Sequence, residues 1–186
     1  MPRIPLITQK EQLAPEFHGH YDRLAARRGS IVGPFRVLLH SPELAVRAGD
    51  IGAFLRFDGS LPRDVAEIVI LTAAREMDAR YVWGDHTALG RQAGVREGCI
   101  QAIGATTPGG ATHGLSPEEA ELVEYVQELV RTNRVSDAKS KALESRLGLA
   151  GLVELTATIA YYRALACVLN TYQIDADAGK DVLPNS

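Results

Sequence analysis

"LPRDVAEIVILTAAREM" occupies residues 61–77, and its middle, "AEIVILTAA" (66–74), decides the fold class. An uninterrupted run of Ile, Val and Leu is what a strand buried on both faces looks like. The length of the segment and its alanines read instead as helix. Pro62 stands at its entry, where proline is pre-organised for a first turn. Asp64 and Glu67 fall in the opening turns, where the helix dipole favours anions. Val65, Ile68, Leu71, Thr72 and Arg75 then lie along one side.

Working outward, the neighbouring segments carry helical punctuation of the same kind. "SPELAVRAGDIGAFLRF" (41–57) opens with Ser41 as N-cap and Pro42 at the first helical position. Its apolar stripe is Leu44, Ala45, Ala48, Ile51 and Leu55, and "DGS" (58–60) ends it. "RYVWGDHTALGRQAG" (80–94) is a helix closed by Gly94 as a left-handed cap. A short helix "VREGCIQAIGA" follows, then "TTPGGATHGL", a loop or lid with Pro108, Gly109, Gly110 and Gly114. "SPEEAELVEYVQELVRTN" restarts with a capping box, Ser116 and Glu119. "SDAKSKALESRLG" runs from Ser136 to Gly148, ahead of a long apolar helix "GLVELTATIAYYRALACVLNTY". The tail "DADAGKDVLPNS" is polar and predicted to fray. No segment alternates with the period of two that a half-buried sheet requires. The expectation is one all-α domain over residues 1–186, because neither side of the glycine-rich loop is large enough to fold alone.

Composition narrows the function. Apolar residues make up 46% of the 186 residues and charged residues 23%, the balance of a globular protein. A net charge of −3 offers nothing to nucleic acid or to an anionic membrane. No apolar run approaches a bilayer span, and "MPRIPLITQKEQ" lacks a basic-then-apolar leader. Two distant cysteines, Cys99 and Cys167, are expected to stay reduced, so the expected location is the cytoplasm.

The chemistry centres on His86. Helical spacing puts Ala79, Val82, His86, Leu89 and Ala93 on one face, with Asp85, Tyr81, Ala88 and Gln92 beside it. An inward imidazole needs a partner, since an unpaired buried polar group costs roughly 1–3 kcal/mol. His86 is therefore either a satisfied core histidine or the centre of a proton relay. Glu67 has the same two readings: an exposed glutamate at a helix start, or a carboxylate aimed at that imidazole, where it would fix the tautomer. The five histidines (His18, His20, His40, His86 and His113) show no metal-binding spacing beyond an isolated His18-x-His20, so no metal is expected. No G-x-S-x-G elbow supports a serine triad, and the glycines at 109–114 match no phosphate or dinucleotide loop. Tyr161 and Tyr162 read as core or interface residues.

These residues also carry a resemblance. "HSPELAVRAGDIGAFLRFDGSLPRDVAEIVILTAAREMDARYVWGDHTALGRQAGV" (40–95) resembles the carboxymuconolactone decarboxylase / alkylhydroperoxidase D family. The marks are Ser-Pro-Glu-Leu-Ala, the glutamate of "AEIVIL", Tyr-x-Trp-x-x-His and Ala-Gly-Val. The likeness extends over about 35–175, leaving 1–34 as an N-terminal extension. It implies a single-domain helical bundle of the alkylhydroperoxidase D-like type that forms a homo-oligomer (trimer, hexamer or dimer), without cofactor or metal.

The peroxidase branch of the family has Cys-x-x-Cys-x-x-x-His. Aligned on His86, its two cysteines fall at Ala79 and Val82, its extra histidine at Tyr81 and its relay glutamate at Glu67. Dithiol peroxide reduction needs a thiolate and a resolving thiol, which alanine and valine cannot supply. The decarboxylase branch implies His86 as the acid, Glu67 as its orienting partner and Tyr81 as a donor to the developing oxyanion. It further implies Arg75 and Trp83 at the substrate. Val82 stands where that branch has a glutamate. The expected function is a cofactor-free decarboxylase or isomerase acting by proton transfer on a small lactone or enol acid. The alternatives are a family member that binds a small molecule or partner without catalysis, and a peroxidase activity disfavoured by the missing cysteines.

Overall fold

The computed structural model describes residues 2–106 and 113–185, with the side chains of residues 27 and 28 left aside. The glycine-rich segment read as a loop or lid lies mostly outside these residues. Among the described residues eight α-helices follow in order: α1 (His18–Arg28), α2 (Pro34–Leu38), α3 (Pro42–Ala53), α4 (Arg63–Glu76), α5 (Arg80–Gln92), α6 (Glu97–Ala105), α7 (Pro117–Thr132) and α8 (Asp137–Thr171). Two 3-10 turns precede α1, and a π-helical turn, Phe54–Asp58, continues α3. No strand occurs among the described residues.

The opening segment is the axis of the bundle. Every residue of α4 from Val65 to Arg75 is buried, and the helix packs against α5, α6, α7 and α8. A one-sided stripe was expected. A helix with neighbours all round instead buries its whole circumference, which is why its middle is apolar in every direction. Ser116 accepts from the Glu119 N–H, and the Glu119 carboxylate accepts from the Ser116 N–H, closing the expected capping box. Gly94 has φ 91, as expected of a left-handed cap. Gly148 has φ 72 and ψ 169, which breaks α8 at the boundary read from the sequence.

Three features depart from the sequence reading. On α3, Leu44 and Ile51 are 52% and 54% exposed, while Ala45, Val46, Gly49, Gly52 and Ala53 face inward. The small residues win that face because α1 and α2 come close there: Leu24 and Phe35 lie against Gly49. A helix that the sequence reading did not include, α1, begins at His18, and its Leu24 joins Ile7, Ile31, Phe35 and Val46 in a second small core.

The third departure is the tail, which is fastened rather than frayed. Leu183 is 3% exposed, Asp181 pairs with Arg91 at 2.6 Å, and Lys180 pairs with Asp85 at 3.0 Å. α8 is long and apolar enough by length and composition to cross a membrane, but its inward residues Leu155, Ile159 and Leu169 are core residues here.

Candidate functional site

Glu67 and His86 meet. α4 carries the glutamate one turn in from its start, and α5 carries the histidine on the side facing α4. Glu67 is 2% exposed and His86 is 5% exposed. The His86 Nδ1 lies 2.7 Å from the Glu67 Oε2. A carboxylate accepts only, so Nδ1 carries the proton of this bond. The ring is then held in orientation with Nε2 directed away from the glutamate. Tyr162 from α8 stands edge-on to the imidazole, with ring centroids 5.0 Å apart at 87°. Tyr161 stands in the same way against Tyr162.

The far side of His86 forms part of the wall of a cavity of about 50 Å³, space for a few waters or the reacting end of a small molecule. Tyr81, Val82 and Asp85 from α5 share that wall, with Phe35 from α2, Arg56 from the π-helical turn, and Tyr161 and Tyr162 from α8. His86 Nε2 makes no protein hydrogen bond among the described residues. The imidazole thus has one nitrogen anchored in the core and the other on the cavity side.

Tyr81 is buried beside it. Burial, reinforced by Asp85 and Asp177 and opposed by Arg36, pushes its phenol up to about 12. The backbone of Gly33, which lies against the Tyr81 ring, also opposes the rise. The phenol therefore keeps its proton at neutral pH and can donate it as a hydrogen bond. Asp85 is held by Lys180 of the C-terminal tail.

The two residues expected at the substrate lie elsewhere. Arg75 donates its Nε to the Thr106 carbonyl and an Nη to the Pro184 carbonyl, both at 2.7 Å. Trp83 is buried against Gly104 and is not on the cavity wall. The arginine that the wall does contain, Arg56, was not singled out by the sequence reading. The available signal was an arginine set between Leu55 and Phe57 at the end of an apolar segment. Arg56 Nε is buried without a hydrogen bond, which costs roughly 1–3 kcal/mol for a buried donor. Its guanidinium carbon lies 5.0 Å from the Phe57 ring centroid.

Of the aligned redox positions, Ala79 is fully buried at the N-cap of α5 and Val82 is on the cavity wall. Cys99 and Cys167 are free thiols on α6 and α8, and neither is on that wall. Burial, with the Glu119 carboxylate beside it, pushes the Cys99 thiol up to about 12, so it is not a nucleophile at neutral pH.

No family model matches the chain, and no curated protein does. Solved structures do. An uncharacterized peroxidase-related protein from Ralstonia eutropha JMP134, described as an alkylhydroperoxidase AhpD core, superposes with a TM-score of 0.74 at 15% identity, covering 95% of this chain and 93% of that one. This chain has the alkylhydroperoxidase D-like fold. The same fold is seen in the debrominase Bmp8. A cysteine-to-alanine form in complex with 2,3,4-tribromopyrrole matches with a TM-score of 0.67 at 14% identity, covering 96% of this chain and 95% of that one. The apo form gives 0.67 at 13% identity, covering 94% and 92%. In this chain the alkylhydroperoxidase D-like fold carries the Glu67–His86 pair without a thiol on the cavity wall.

Proposed function

We propose that this protein is a cofactor-free enzyme of the carboxymuconolactone decarboxylase type. It would decarboxylate or isomerise a small lactone or enol acid by proton transfer at His86. The observation that carries the reading is the buried Glu67–His86 hydrogen bond, with Nε2 of the same ring on the cavity side.

In decarboxylation the bond to the leaving carboxylate breaks and its electron pair moves into an enolate. The Tyr81 O–H stabilises the enolate oxygen, and His86, protonated on both nitrogens as an imidazolium, delivers its Nε2 proton to carbon and is left neutral with Nδ1–H on Glu67. Water then restores the proton on the imidazole. In isomerisation Nε2 takes a proton from one carbon and returns it to another. Glu67 orients the ring throughout and balances the imidazolium. That solved structures of this fold include a debrominase bound to a bromopyrrole supports a small unsaturated substrate.

A panel of lactone and enol acids, assayed for carbon dioxide release and double-bond migration, tests the proposal. His86→Gln keeps a hydrogen bond to Glu67 but cannot cycle a proton, so turnover falls by about 10²-fold or more while helicity is retained. Unchanged turnover in that variant rejects the role of His86. A binding-only reading draws on Val82, an apolar residue on the wall where the decarboxylase branch has an acid. Ligand binding by the wild type with no turnover anywhere in the panel would favour it.

Self-association belongs to the same proposal. Leu44 and Ile51 on α3 and Leu149 and Val153 on α8 are large apolar side chains left exposed, and a homo-oligomer would cover residues of this kind. A monomeric mass by light scattering would contradict this.

A further inference from the structure

Several arginines of this chain have visible occupations. Arg36 pairs with Asp177, Arg91 with Asp181, Arg131 with Glu76, and Arg75 is spent on two backbone carbonyls. Arg56 differs. It makes no salt bridge among the described residues, its Nε is buried without a partner, and it stands on the wall of the cavity that His86 shares. A planar fork of N–H donors left unoccupied in a partly apolar cavity is suited to a planar anion.

The backbone accounts for its position. Phe54–Asp58 is a π-helical turn, closed by the Gly59 N–H on the Phe54 carbonyl at 2.8 Å. A wider turn changes which residues face the core, and such turns are frequent at functional sites. Here Phe54 and Phe57 face outward, 47% and 50% exposed, while Leu55 is buried and Arg56 is half-buried on the cavity.

We propose that Arg56 holds the carboxylate of the ligand, and that this ligand is a monoanion on a small, apolar, unsaturated body. This deepens the proton-transfer reading and rests on it for the reaction. The restriction to one carboxylate comes from the rest of the wall. The other acidic or basic side chain there, besides His86, is Asp85, already held by Lys180 at 3.0 Å. A second carboxylate on the ligand would approach Asp85, and the other group on the lining that can carry positive charge, His86, is already balanced by Glu67. Phe35, Val82, Tyr162 and Leu165 provide apolar surface for the body of the molecule.

Binding can be read without turnover. Crotonate, its neutral isostere crotonamide and the dianion fumarate are titrated into the full-length protein by calorimetry. The wild type is expected to bind crotonate about tenfold or more tightly than either of the others, the worth of a charge-assisted fork in a partly buried site. Arg56→Gln is expected to remove the preference for crotonate over crotonamide. Arg56→Lys keeps the charge but not the fork and is expected to retain part of the preference, which guards against misreading a folding defect. Equal affinity for crotonate and crotonamide in the wild type, no crotonate binding, or a preference that survives Arg56→Gln would overturn the assignment. Fumarate bound as tightly as crotonate would overturn the restriction to a monoanion. Because these readings need no product, they can fail while His86→Gln still abolishes turnover, and the two proposals remain separable.

Discussion

Glu67 and His86 lie nineteen residues apart, and the sequence placed each on a helix without saying whether they would touch. The period of a helix gives the face of a residue and not its partner. That is why the two readings of each residue could be separated only by the 2.7 Å contact. Arg75 shows the same limit from the other side. Its inward placement was legible, but the carbonyls that consume its donors belong to Thr106 and Pro184, and the docking of the tail leaves no periodic signal. Tyr81 was legible only through the resemblance, since helical spacing placed it beside the inward stripe and not on it. It makes a testable prediction. Its folded pKa is raised from 10.0 to about 12, so the folded state holds the phenolic proton more tightly than the unfolded chain. The associated stability is complete below about pH 10 and is lost as pH rises towards 12, by an amount of the order of 2 kcal/mol. Cys99, raised from 9.0 to about 12, adds an alkaline loss that begins near pH 9 and overlaps this one. The denaturant midpoint should fall across this range, and the fall should be smaller in Tyr81→Phe than in the wild type. An equal fall in both would contradict the burial of the phenol.

At the scale of elements, the helices were legible where caps and breakers stand in the sequence: Ser116 with Glu119, Gly94, and Gly148. The π-helical turn was not, because it is a choice of hydrogen-bond register that no single residue announces. The tail was misread because its composition is that of a loop, although its ion pairs reach α5. Gly84 is the mark it leaves on that helix. A glycine inside a helix costs about 1 kcal/mol against alanine. Here a Cβ at residue 84 would stand 2.8 Å from the Ala176 Cβ and 3.0 Å from the Asp181 carbonyl oxygen. Gly84→Ala should therefore destabilise the full chain by about 1 kcal/mol or more, since the overpacked tail must shift. In a chain ending after residue 174 the same change should stabilise by up to about 1 kcal/mol, because only helix propensity remains. Chemical denaturation of the four proteins reads the sign, and the same sign in both backgrounds would contradict tail packing on α5.

For the whole molecule, the all-α class followed from reading 61–77 as helix, and α4 is the helix around which α5, α6, α7 and α8 assemble. That arrangement makes the site possible. A carboxylate on the central helix is shielded on all sides, so it can hold an imidazole on the next helix while the far edge of the ring borders a cavity. The resemblance gave the bundle type, and the solved structures that superpose on more than nine-tenths of the chain bear out the fold. The central claim is that Nδ1 of His86 is committed to Glu67 while Nε2 serves the cavity. Histidine-selective nitrogen NMR of the wild type, assigned with His86→Gln, tests it most directly. The account predicts an Nδ1-bound proton that exchanges slowly with water, is lost in Glu67→Ala, and accompanies an Nε2 resonance that moves when crotonate is added. A His86 ring with its proton on Nε2 and none on Nδ1, or one indifferent to the removal of Glu67, would contradict it.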